Sequence, residues 1–317
     1  MAVHLVTGGA GFIGCNIVRG LLARGRKVRV LDNFSTGHRR NLESVAADVE
    51  VIEGDIRSFH IVQQAVKDVE VVFHQGALPS VPRSISDPIT SNEVNVGGTL
   101  NVLHAAVDAG VRRVVFASSS SIYGNSPCEV KDEELSPGPL SPYAVSKLAG
   151  EMYFRVFHSI YGLETVALRY FNVFGPFQDP DSPYSAVIPL FIRAFSEGRA
   201  PFINGSGEQS RDFTYVANVV HGNLLAADAP DAPGRVINVA CHGSVSVNRL
   251  ASEIAGLLGR TDVVPVHRDH RPGDVMHSCA SISLAEKVLG YRPEVSFEEG
   301  LARTVAWFME GGRQNAF

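Results

Sequence analysis

The first half of the chain alternates two textures. Short runs rich in Val, Ile and Phe stand at Val3–Thr7, 28–31, Val49–Glu53, Val69–His74 and 113–118. They show little polar alternation, which predicts strands buried on both faces. Between them, apolar residues recur every three to four positions at 12–24, 58–66 and 89–109, a helical period. A further helix is predicted over Pro142–Tyr161, followed by a strand at 164–169. Strand–helix alternation at this spacing predicts an α/β fold built on a doubly wound parallel sheet. After Tyr170 the pattern changes. A turn-rich loop at 175–181 leads into shorter elements, with further loops at 204–212 and 267–274. No linker interrupts the chain, so the second region is expected to pack against the first.

Composition adds limits. The 317 residues are 45% hydrophobic and 19% charged, as in proteins with a large core. A net charge of −5 argues against nucleic acid as a partner. No window reaches the roughly 18 unbroken apolar residues of a membrane helix. The opening residues run straight into a glycine turn, so no targeting segment is expected. Cys15, Cys128, Cys241 and Cys279 form no CxxC pair, which fits reduced cysteines in the cytoplasm. Cys15 reads as a small packing residue.

The candidate chemistry begins at Gly8, Gly11 and Gly14, a GxxGxxG loop between the first strand and the first helix. Gly8 suits a tight turn, Gly11 lets a pyrophosphate approach the helix N-terminus, and Gly14 lets helix and strand pack closely. Asp32 ends the second strand, where an acid can bond an adenosine ribose, and its charge favours NAD over NADP. Arg39 and Arg40 are the nearby features that would favour NADP. Asp55 has two readings, a contact to the adenine together with Ile56, or an ordinary helix N-cap. Tyr143 and Lys147 form YxxxK, which puts phenol and ammonium on one helix face. A nearby cation stabilises a phenolate, making the Tyr usable as a base near neutral pH. A serine run at 118–121 ends the fifth strand, at the sheet edge where ligands bind. His267, Asp269 and His270 lie close in sequence but match no metal-site spacing, so no metal is expected.

These motifs, in this order, resemble the extended short-chain dehydrogenases/reductases, and among them the NAD-dependent UDP-hexose 4-epimerases. The resemblance spans essentially the whole chain: TGGAGFIG, Gly54-Asp55, HQGA at 74–77, SSSSIYG, YAVSK, LRYFNVFGP, SRDFTYV at 210–216, HRPGD at 270–274 and LGYRP at 289–293. HQGA departs from the HxAA of many relatives, and the smaller Gly76 fits close to a cofactor. The resemblance implies a catalytic Ser119, Tyr143 and Lys147. It implies NAD contacts from Gly8, Gly11, Phe12, Ile13, Gly14, Asp32, Asn33, Ser35, Thr36, Gly37, Asp55, Ile56, Gly76, Ala77, Leu78, Asn95, Ala117 and Tyr170, besides Tyr143 and Lys147. For the sugar nucleotide it implies Ser80, Arg83, Ser119, Ser121, Tyr143, Tyr170, Asn172, Val187, Phe202, Asn204, Arg211, Arg271, Asp274 and Ser278.

Ser120 and Ser121 stand where related dehydratases carry an Asp-Glu pair, which favours simple epimerisation. Ser278 stands where glucose-restricted relatives carry a bulky Tyr, leaving room for an acetamido group. The implied substrates are therefore UDP-N-acetylglucosamine/UDP-N-acetylgalactosamine and UDP-glucose/UDP-galactose, with UDP-glucuronate as an alternative. An NAD-binding regulatory protein without turnover is the competing class. The implied division is a Rossmann-like NAD domain, 1–169 plus about 210–240, and a smaller α/β sugar-nucleotide domain, about 170–209 and 241–317. The family resemblance also implies a homodimer through helices near 94–109 and 143–160, which carry Leu100, Leu103, Val107 and Met152, Val156, Ile160.

Overall fold

The computed structural model describes residues 2–179, 186–269 and 276–311. Seven parallel strands form its main sheet: β1 (Val3–Thr7), β2 (Lys27–Asp32), β3 (Val49–Glu53), β4 (Val69–His74), β5 (Arg113–Ser119), β7 (Glu164–Tyr170) and β12 (Arg235–Val239). The order is β12-β7-β5-β4-β1-β2-β3, so the winding reverses beside β1. Alternate residues serve opposite faces. Val6, Phe73, Val115 and Leu168 pack with α1 (Phe12–Ala23) and α8 (Val216–Asp228), whereas Leu5, Val72, Val114 and Ala167 pack with α2 (Phe59–Ala65), α5 (Gly98–Asp108) and α6 (Pro142–Tyr161). Burial on both faces is the physical reason the inner runs lack polar alternation; β3, at the edge of the sheet, departs from the expectation, with only Val49 buried and Glu50, Val51 and Glu53 exposed.

A second core joins α7 (Val187–Ser196), α9 (Val247–Leu257) and α11 (Phe297–Met309) through Ile188, Phe191, Leu250, Ile254, Leu301 and Val305. The strands around it are short. β6 (Val130–Lys131), β10 (Ser210–Arg211), β13 (Val245–Ser246) and β15 (His277–Ala280) make one sheet. β8 (Val173–Phe174) pairs β11 (Thr214–Tyr215), and β9 (Phe202–Asn204) pairs β14 (Val266–Arg268). The chain thus places Ser210–Arg211 in the smaller sheet and returns to the larger one at β12. A last helix, α10 (Ser283–Leu289), packs on the main sheet through Ala285 and Leu289.

Three predicted segments take a different form. The helix at 89–109 runs without interruption from Pro88 to Asp108 but holds a wider turn: α4 (Pro88–Asn92), a π-helical turn Glu93–Gly97 and α5, following the short α3 (Val81–Ser86). The π turn carries Asn95, whose amide is bonded inward to Leu78 and Ser146, and such turns recur where a side chain is re-aimed at a site. The loops at 204–212 and 267–274 each contribute a short strand, β10 and β14, because pairing with distant segments satisfies their backbone groups. The apolar positions of the two helices also part ways. Leu103 is fully buried and Leu100 and Val107 pack on the same core, whereas Met152, Val156 and Ile160 are 42%, 43% and 71% exposed.

Candidate active site

A cleft of about 750 Å³ opens at the carboxyl ends of the central strands. Its floor is the turn from β1 to α1. Gly8 has φ 67°, a left-handed conformation that a side chain disfavours. A Cβ on Gly14 would sit 2.1 Å from the Gly8 carbonyl oxygen. The helix can therefore start this close to the strand only with glycine at 14. Gly11 caps α1 without any side-chain bond, and no acid stands in its first turn. The positive end of the helix is left for an anion such as a diphosphate. Gly8, Gly11, Phe12, Ile13 and Gly14 all line the cleft. Cys15 is fully buried behind them, its thiol pushed up to about 12 by burial.

Asp32, Asn33, Ser35, Thr36, Gly37, Asp55 and Ile56 line the next part. The nearly buried Asp32 carboxylate accepts from Ala10 N at 2.9 Å and Phe34 N at 2.8 Å. It fastens the glycine loop to the end of β2 as well as facing the cleft, and burial raises its pKa. Asp55 is not a helix cap, since α2 begins after Ser58. It accepts from Asn33 and from the Arg57 side chain and backbone, and these bonds hold its pKa down at about 2. Arg39 is turned away, paired with Glu53 and lying over the Phe34 ring. His38 and Arg57 also line the cleft, and His38 bonds Asp179 across its rim at 3.1 Å. No local motif in the sequence marks these residues.

Tyr143 and Lys147 enter from α6, whose first turn is set by Pro142 and by the Ser141 side chain accepting from Ala144 N. Lys147 donates to the Ala117 carbonyl at 2.8 Å, and burial pushes its ammonium down to about 7. The buried Tyr143 phenol is raised by desolvation and lowered by a hydrogen bond with the Ser119 side chain. The expectation that Lys147 draws the Tyr143 pKa down meets a different balance in the protein by itself, where burial dominates. Ala117 and Ser118 line the cleft with Tyr143 and Lys147. Ser119 lies at the end of β5, its Oγ also accepting from the backbone N and hydroxyl of Ser121.

Gly76, Ala77 and Leu78 form the wall after β4. Behind them, Gly76 N donates to Thr7 Oγ1, which meets His74 Nδ1 at 2.7 Å, while His74 Nε2 meets Thr99 Oγ1 at 2.9 Å. His74 is fully buried, and desolvation lowers it to about 3. Asn95 stands outside the cleft lining but accepts from Leu78 N and donates to Ser146, which in turn bonds the Tyr143 carbonyl. One buried polar chain therefore ties the wall to the helix that carries Tyr143.

The candidate sugar-nucleotide residues are more dispersed. Ser80, Arg83 and Tyr170 line the cleft. The Tyr170 hydroxyl is committed to Asn223 and Gln75, so the cleft meets its ring. Asn172, at φ 31°, donates to the Asp212 carbonyl. Asp212 accepts from the backbone N–H groups of Cys241, Gly243 and Ala280, joining its own strand end to the 241–243 and 280 segments. Arg211 and Ser278 are register partners on β10 and β15. Phe202 and Asn204 are exposed on β9, with the Arg268 guanidinium over the Phe202 ring at 3.1 Å. Val187 opens α7 next to the cleft-lining Ala186. Arg271, Asp274 and His270 lie outside the described residues. Ser119, Ser121, Asn172, Val187, Phe202, Asn204, Arg211 and Ser278 are not part of the cleft lining.

The sequence profile of the NAD dependent epimerase/dehydratase family matches residues 4–240. A UDP-glucose 4-epimerase of Mycolicibacterium smegmatis is 38% identical over 308 residues, 96% of this chain and 97% of its own length. A UDP-N-acetylglucosamine 4-epimerase from Methanobrevibacter ruminantium M1, solved with UDP-N-acetylmuramic acid, is 42% identical. It superposes with a TM-score of 0.93 over 98% of this chain and 99% of its own. A UDP-glucose 4-epimerase of Thermotoga maritima, solved with UDP-glucose, is 35% identical with a TM-score of 0.93, over 98% and 99% of the two chains. With its glycine cradle, its Tyr-Lys helix and these likenesses along its whole length, the chain belongs to the NAD dependent epimerase/dehydratase family.

Proposed function

We propose that this protein is an NAD-dependent UDP-hexose 4-epimerase. It interconverts UDP-N-acetylglucosamine with UDP-N-acetylgalactosamine and UDP-glucose with UDP-galactose, through a 4-keto intermediate. The observation that carries this reading is one cleft holding both the glycine cradle and the Tyr143–Lys147 pair, with the Ser119 hydroxyl near enough to favour the Tyr143 phenolate. The relatives, UDP-glucose and UDP-N-acetylglucosamine 4-epimerases, support it.

The cradle fits NAD. Its helix N-terminus has no side-chain cap, its glycines stand where a Cβ would strike backbone, and Asp32 waits at the end of β2. Gly8 to Gly14 would hold the diphosphate, Asp32 to Gly37 the adenosine ribose, Asp55 and Ile56 the adenine. Gly76 to Leu78, Asn95, Ala117 and Tyr170 would hold the nicotinamide half. When bound, NAD would supply a reversible hydride acceptor for C4 of the sugar.

The chain's own residues handle the proton. Tyr143 as phenolate takes the 4-hydroxyl proton, and Ser119 bonds the same oxygen. Lys147, at the end of the Ala117 carbonyl, supplies positive charge beside the phenol. That charge matters because burial alone keeps Tyr143 protonated. Arg211 and Arg271 are assigned to the substrate diphosphate, a fit for guanidinium. Asp274 is assigned to the nucleoside ribose, and Phe202 and Asn204 to the base. Ser80, Arg83, Ser121, Tyr170, Asn172, Val187 and Ser278 are assigned to the sugar.

Arg83 on the cleft wall favours a second reading, UDP-glucuronate, whose carboxylate a guanidinium binds well. Incubation with UDP-glucose, UDP-N-acetylglucosamine and UDP-glucuronate separates the two. The first two should reach epimer equilibrium without added reductant. Turnover of UDP-glucuronate alone selects the second reading, and turnover of none defeats both.

The same reading divides the chain into a cofactor region, 1–169 with about 210–240, and a sugar-nucleotide region, about 170–209 with 241–317. The exposed stripe Met152, Val156 and Ile160 supports a homodimer packed through α6, to be checked by sedimentation. None of the four cysteines is in a disulfide, which supports a reducing compartment such as the cytoplasm.

A further inference from the structure

Four contacts fix the height and rotation of α6 against the sheet, and only one involves a residue assigned a chemical role above. Lys147 donates to the Ala117 carbonyl. One turn on, a Cβ on Gly150 would stand 2.6 Å from the Phe116 ring, so the helix lies as close to β5 as glycine permits. Next, Glu151 accepts from the Ser118 hydroxyl at 2.5 Å. The same carboxylate takes a two-pronged bond from Arg169 on β7, Nε at 2.9 Å and a terminal nitrogen at 2.8 Å. Glu151 and Arg169 are both almost completely buried.

A buried ion pair is a poor source of stability, because desolvation consumes most of the Coulombic gain. Its value here is geometric. Ser118 lines the cleft and precedes Ser119, whose hydroxyl lowers the Tyr143 pKa. Glu151 lies eight residues after Tyr143 and four after Lys147 on the same helix. It thus ties the helix bearing the phenol to the strand bearing the hydroxyl.

We propose that Glu151, anchored by Arg169 and acting through Ser118, is a positioning residue that sets where the Tyr143 phenol stands relative to the Ser119 hydroxyl. This rests on the catalytic roles proposed for those two residues. Misplacing a reacting group by about 1 Å costs up to roughly a hundredfold in rate.

Ser118→Ala tests the relay while leaving the Glu151–Arg169 pair intact, so no charge is stranded. The Tyr143 phenolate is followed by its ultraviolet titration, each protein being read against its own Tyr143→Phe counterpart to isolate one of the eight tyrosines. We expect the Tyr143 pKa to rise in Ser118→Ala and Ser118→Thr to restore it. With UDP-glucose, kcat should fall about tenfold or more at unchanged KM, and its acidic limb should move to higher pH. An unshifted Tyr143 titration in a folded Ser118→Ala protein would overturn the relay. A wild-type protein that turns over no nucleotide sugar would instead overturn the functional reading, and the titration would still decide whether the relay sets the phenol.

Discussion

The two sides of the cleft are built in opposite ways. The cofactor side is made by backbone brought so close that glycine is compulsory, and it is backed by bonds such as Asp32 to Ala10 and His74 to Thr7 and Thr99. The sugar-nucleotide side is made from two- to four-residue strands and displays its candidate residues near the surface, among them Phe202 at 50% exposure. The difference suits the division of labour proposed for them. A cofactor regenerated in each cycle is kept, so its site can be rigid and deep. A substrate that arrives, turns over its sugar ring and departs needs a site with open sides.

The most severe way to separate the two sides is Tyr143→Phe. Loss of a general acid–base group costs about 10²–10⁴-fold, so kcat should fall by that order while the bound NAD, measured after denaturation, stays near wild type. A variant with unchanged turnover would remove Tyr143 from the chemistry. Gly14→Ala attacks the cofactor side. Its methyl meets the Gly8 carbonyl, so the loop must shift, at about 1–3 kcal/mol. Purified protein should carry little NAD and melt earlier, and full NAD content would show that the cradle tolerates a side chain.

Ser278→Tyr attacks the other side alone. UDP-N-acetylglucosamine turnover should drop roughly ten- to a hundredfold relative to UDP-glucose, with NAD content intact. Equal losses on both sugars would refute the selective role of Ser278. The two sides also differ in acid sensitivity, with opposite signs. Folded His74 binds its proton only near pH 3, whereas an unfolded His does so near 6.5. The unfolded state therefore gains protons first, and stability falls as pH drops through that window, by up to about 1.4 kcal/mol per pH unit. Asp212 is raised to about 6 by burial. The folded state holds that proton more tightly, so its contribution to stability rises as pH falls from 6 towards 4. Urea midpoints between pH 7 and 4.5 should fall less steeply in His74→Gln than in wild type. An unchanged slope would mean that His74 does not titrate this way.

The same contrast explains what the sequence disclosed. The glycine loop, Asp32 at the strand end and YxxxK act through neighbours within one or two turns, so spacing alone announces them. The pairing of Arg211 with Ser278 joins residues 67 positions apart through a two-residue strand, which has too little periodicity to announce itself. His38 meeting Asp179, and Glu151 meeting Ser118 and Arg169, are likewise products of packing. The sequence places Tyr170 at the site but gives no sign that its hydroxyl is committed to Asn223, because Asn223 reaches it from α8. The π turn inside the 89–109 helix is hidden for a similar reason, since it accompanies bonds from Asn95 to Leu78 and Ser146, which packing brings to it.

The most direct test uses UDP-glucose carrying deuterium at C4, incubated with purified protein in ordinary water. An oxidation and reduction confined to one site predicts UDP-galactose with the deuterium still on C4. Exchange of that deuterium for solvent hydrogen during epimerisation would contradict the account.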